Sequence, residues 1–161
     1  MNVLSAEELL AWVDRTSSGW QSLLVRHPEV LLLPCTIREG QTAGDLVHHI
    51  VAAELRYAER LCGRAQTPYE SIPKGVPQAL YATHELAMSL LRDLLERGDV
   101  DWEGSVEFST RKAGVLRASR RTVLVHLLMH SIRHYAQLAT VARQGGAKPD
   151  WEMDYLAMGL R

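Results

Sequence analysis

Three histidines at four-residue spacing, His126, His130 and His134, and an adjacent pair, His48 and His49, carry the richest chemistry in this sequence. Neutral imidazole is a common ligand of divalent transition metals. An α-helix turns about 100° per residue, so the three residues of the run fall on one slowly drifting stripe, each roughly 40° round from the last. Two neighbouring rings can reach one ion, whereas all three have difficulty sharing it, and a further ligand must come from elsewhere. His48 and His49 are candidates, but adjacent side chains point about 100° apart and only one can aim at a given centre. On the apolar face drawn by Leu46, Val47, Ile50, Tyr57, Ala58 and Leu61, both lie off-centre by comparable angles, so helical geometry leaves the choice open. Glu54 falls near the middle of that face. An unpaired carboxylate is costly there and demands a cationic, metal-bound or hydrogen-bonding partner. His27 and His84 read as ordinary packed residues, and His126 as structural or as support for a ligand.

Four helices are needed to hold these groups. Ser5 with Glu8 three residues later is a capping box, and Leu9, Leu10, Trp12, Val13, Trp20, Leu23 and Leu24 recur at helical spacing, which predicts a first helix from Ser5 to the high twenties. Pro34 and the Gly40 region interrupt the pattern. Thr42 can cap a second helix reaching Cys62, with Gly63 as its stop. Residues 64–76 are rich in Pro and Gly and read as a loop, after which Leu80, Ala87, Leu90, Leu91, Leu94 and Leu95 draw the stripe of a third helix ending at Gly98. Residues 99–118 contain short alternating pieces such as Ser105-Val106-Glu107-Phe108, compatible with a small hairpin or an irregular connection. A fourth helix runs from about Ser119 to Gly145-Gly146, apolar on nearly every side in its middle and hence buried. The expected fold is an all-α four-helix bundle in a single domain, with a long irregular connection between helices three and four.

The 161 residues, 47% of them hydrophobic and 23% charged, suit one domain with its own core, and a formal net charge of -1 gives no general field for nucleic acid. The basic residues Arg111, Lys112, Arg117, Arg120 and Arg121 are the only local support for such a role, and they lack an interleaved aromatic platform. They can bind the carboxylates of a cofactor or simply form a solvated face. Cys35 and Cys62 are too few for a disulfide framework, no basic leader opens the chain, and no apolar run approaches the roughly 20 residues of a membrane span. A cytoplasmic protein is expected, with no membrane or nucleic-acid partner.

Two blocks, Thr42-Ala-Gly-Asp-Leu-Val-His-His-Ile-Val-Ala-Ala-Glu54 and His126-Leu-Leu-Met-His-Ser-Ile-Arg-His-Tyr-Ala-Gln137 followed by Arg143-Gln-Gly-Gly146, resemble the DinB (YfiT-like) superfamily of helical-bundle proteins. That pattern has one histidine in helix two with a glutamate five residues later, then an HxxxHxxxH run with a glutamine three after its last histidine. The resemblance therefore selects His49, since Glu54 stands five beyond it, and implies His49, His130 and His134 as ligands of a divalent ion such as zinc, nickel or iron. The Pro149 to Tyr155 tail also fits. Where many relatives read His-Arg-Gly-Gln, this chain reads His134-Tyr-Ala-Gln137, which leaves the ligands intact and removes one arginine.

Three imidazoles leave a coordination position open, the arrangement of a catalytic site, and an ion there favours the ionised form of water or a thiol at neutral pH. Characterised members of the superfamily include metal-dependent transferases of small thiols. The expected function is accordingly a metal-dependent S-transfer from a low-molecular-weight thiol to an electrophilic substrate, with Glu54 and Gln137 as candidate catalytic residues. Two other readings are a metal-dependent hydrolase and a non-catalytic, stress-associated metal-binding or dimeric module. A homodimer is expected; Trp12, Trp20 and Met88 can serve its seam, although core packing explains such stripes at least as well.

Overall fold

The structure, a computed structural model, describes residues 4–37, 41–110 and 114–159; Gly40, Arg111 and Lys112 lie outside the described residues. It is mostly helical: α1 Ala6–Arg26, α2 Ala43–Leu61, α3 Pro77–Glu96, β1 Ser105–Thr110, β2 Gly114–Ser119 and α4 Arg120–Gln144. The helix starts follow side-chain chemistry. Ser5 Oγ accepts from Glu8 N at 3.1 Å while Glu8 Oε2 accepts from Ser5 N at 2.7 Å. Thr42 and Asp45 form the same reciprocal box on α2, and Ser119 Oγ accepts from Thr122 N ahead of α4. Each satisfies amide donors that the first helical turn leaves open. α3 starts instead with Pro77, whose missing N–H costs nothing at that position. Past α2, Gly63 adopts a φ of 70°, a left-handed conformation that suits glycine. α3 stops at Glu96, just before Gly98.

Half of the α3–α4 connection is regular rather than irregular. β1 and β2 form an antiparallel hairpin with Val106 opposite Ala118 and Phe108 opposite Leu116. The alternation has a use: Val106 is buried, and Phe108 and Ala118 pack against the core.

α2 packs on α3 and α4, and α1 packs on the same two helices. The apolar core falls into two halves. One holds Leu9, Val13, Leu55, Met88, Leu91, Leu124 and Leu128. The other holds Trp20, Leu24, Val47, Ile50, Leu80, Tyr81, Tyr135 and Leu138. Between them along every helix lie buried polar residues: Thr16 and Ser17 on α1, His48 and Glu54 on α2, Thr83 and His84 on α3, His130, Ser131 and His134 on α4. Burying polar atoms is costly without partners, so these residues mark where the fold gives up apolar packing.

The tail straps α1. Trp12 Nε1 donates to Met153 O at 2.7 Å, Arg15 donates to Ala157 O at 2.8 Å, and the Trp151 indole lies over Gly19, where any Cβ would collide with it. Trp20 and Met88 are fully buried, so of the two readings of these residues, dimer seam or core packing, core packing holds for both. Among the described residues no helix is long and apolar enough to cross a membrane.

Candidate metal centre

The run on α4 divides by helical drift. His130 and His134 are buried and turn toward α2, while His126 stays exposed one turn before them. From α2, half-buried His49 meets the pair. His49 Nε2 lies 3.2 Å from His130 Nε2, and His134 Nε2 lies 3.1 Å from His130 Nε2. One ligand atom from each of the three residues lies within 4.8 Å of the others, a set able to hold a metal ion. The rings are inclined to one another by 63°, 74° and 90°, so the nitrogens converge while the rings splay apart.

His48 turns elsewhere. Its Nε2 bonds to Ile72 O at 3.2 Å and its ring stands edge-on to Tyr69. The 64–76 loop supplies both partners, so the choice between the adjacent histidines is made by tertiary structure.

The donor set suits a divalent ion. Three nitrogens about 2.0–2.1 Å from a tetrahedral ion lie about 3.3–3.4 Å apart, close to the spacings observed. Gln137 Oε1 accepts from His134 Nδ1 at 2.6 Å, which places the proton on Nδ1 and leaves the Nε2 lone pair facing the centre. His130 Nε2 is then in contact with two nitrogens that a single hydrogen must serve; an ion shared by three lone pairs resolves that crowding. Burial, with His134, His49, His126 and Arg133 nearby, pushes His130 down to about 2, so it stays an unprotonated donor at neutral pH. Its Nδ1 is buried without a hydrogen-bond partner among the described residues, so packing alone orients the ring.

His126 does not join the cluster. Its ring lies 5.7 Å from that of His130 and 5.7 Å from that of Tyr57, which in turn stands edge-on to Phe108 of the hairpin. These rings form an aromatic row that ends at His130.

Glu54 is fully buried and its partner is His84, whose Nδ1 lies 2.8 Å from Oε2. His84 Nε2 faces Asp14 Oδ1 at 3.5 Å, and Asp14 Oδ2 pairs with Arg92 at 2.6 Å. Burial disfavours charge on His84, but Glu54 and Asp14 outweigh it and push the imidazole up to about 10. Burial likewise opposes ionisation of Asp14, yet its bonds from His84 and Arg92 hold the carboxyl below its ordinary range. The carboxylate–imidazolium–carboxylate chain was not readable from the sequence, because Asp14, Glu54 and His84 come from three helices.

Of the basic residues around the start of α4, two form ion pairs among the described residues. Arg117 pairs with Glu107 at 2.9 Å, Arg121 with Glu103 at 2.6 Å, and Arg120 donates to Asp101 O.

The family model described as the DinB family matches residues 1–158. No curated protein matches the chain.

Proposed function

Because the chain belongs to the DinB family, we propose that it is a four-helix-bundle enzyme of small-thiol S-transfer, with His49, His130 and His134 as ligands of a divalent ion. The convergence of three imidazole Nε2 atoms, with His134 locked by Gln137, carries this reading. Such an ion supplies Lewis acidity that favours the ionised form of a thiol at neutral pH.

The imidazoles of His49, His130 and His134 would hold the ion without cancelling its charge, and a three-nitrogen set would allow a further ligand. Gln137 acts as a positioning residue through the His134 tautomer. Glu54 Oε2 is engaged by His84, which favours a fixed electrostatic role for this carboxylate over that of a proton acceptor. The aromatic row of Tyr57, Phe108 and His126 beside His130 suits an electrophile with an apolar or planar body.

The metal-loaded chain, assayed with monochlorobimane and a panel of small thiols, is expected to give conjugation above background that chelation and His134→Ala both remove. Turnover of an ester without thiol would favour the hydrolase instead. No rate above background with any thiol or ester would favour the non-catalytic module.

A further inference from the structure

We infer that Arg133 recognises a carboxylate on the molecule that enters the open side of the metal centre, so that the preferred thiol is an acidic one. The inference rests on the reading of the site as a metal centre that accepts a thiol.

Arg133 precedes His134 on the exposed edge of α4, and its Nη2 comes within 3.5 Å of His134 Nε2, one of the three converging nitrogens. A guanidinium has no acceptor and keeps its charge at any ordinary pH. It cannot be a ligand; it presents N–H donors and positive charge beside an atom that faces the centre.

That charge is not neutralised elsewhere. Arg26, Arg92, Arg97, Arg117 and Arg121 each pair with a carboxylate, whereas Arg133 makes no ion pair among the described residues. The centre itself contributes imidazoles alone.

With a divalent ion in place, its charge and that of the guanidinium meet no protein carboxylate among these groups. A neutral thiol that enters with loss of its S–H proton to solvent offsets one of those charges. A carboxylate on the same molecule offsets another, in the planar paired geometry that guanidinium favours.

Mercaptoacetate and β-mercaptoethanol differ mainly in that charge, and both can be titrated into the cobalt-loaded protein while near-ultraviolet absorption is followed. Wild type is expected to bind mercaptoacetate about 10-fold or more tightly than β-mercaptoethanol, the range of a charge-assisted hydrogen-bonded pair. Arg133→Gln is expected to lose the preference with its cobalt content intact, and Arg133→Lys to keep part of it. Equal affinity for the two thiols in wild type, or an undiminished preference in Arg133→Gln, would overturn the role of Arg133 and leave the thiol reading standing. Cobalt uptake with no absorption change from either thiol would overturn both.

Discussion

Replacing His84 by alanine is expected to destabilise the protein by about 3–5 kcal/mol, because it strands the fully buried carboxyl group of Glu54, while Asp14 keeps its pairing with Arg92. Glu54 is fully buried, and its Oε1 has no hydrogen-bond partner among the described residues, so His84 is its principal compensation. The pH dependence of the contribution follows from where the imidazole titrates. An unfolded histidine ionises near 6.5, whereas folded His84 is pushed up to about 10. Below 6.5 both states hold the proton and the stabilisation is fully present. Between 6.5 and 10 the folded state keeps a proton that the unfolded state has released, and stability falls by up to about 1.4 kcal/mol per pH unit. Denaturant unfolding of wild type and His84→Gln across this interval should show the difference between them shrinking steadily toward pH 10. A difference that holds constant, or grows, would mean that His84 is not the buried cation of the Asp14–His84–Glu54 chain.

Saturating divalent ion is expected to raise the thermal midpoint of wild type by on the order of 10 °C, as binding at about a thousandfold above Kd adds about 4 kcal/mol. His130→Ala should abolish the rise while keeping its helical circular dichroism, since His130 Nε2 contacts both other nitrogens and its loss dismantles the set. Retention of the full shift in His130→Ala would place the ion elsewhere.

Much of the frame was legible before the structure. The Ser5 capping box, the Thr42 cap, the apolar run from about Ser119 and the stripe of α3 are local signals, and the helices begin close to where they indicate. The pairing of His130 with His134 is likewise a property of one helix. What escaped is non-local. The alternating residues of the 99–118 segment left a hairpin and an irregular connection both open, and the burial of Val106 with the packing of Phe108 on the core decides for the hairpin. The partner of Glu54 comes from α3. His48 and His49 are separated by Ile72 O, an acceptor 24 residues from His48, whereas family resemblance alone pointed to His49 in the sequence. Arg133 carries no motif, and only its approach to His134 Nε2 marks it.

Metal content per chain, measured on purified wild type, His48→Ala and His49→Ala after loading and desalting, tests the three-histidine centre most directly. One divalent ion per chain is expected in wild type and His48→Ala, with its loss in His49→Ala. A wild type that takes up no stoichiometric ion, or a His49→Ala chain that holds it as firmly as wild type, would contradict the centre described.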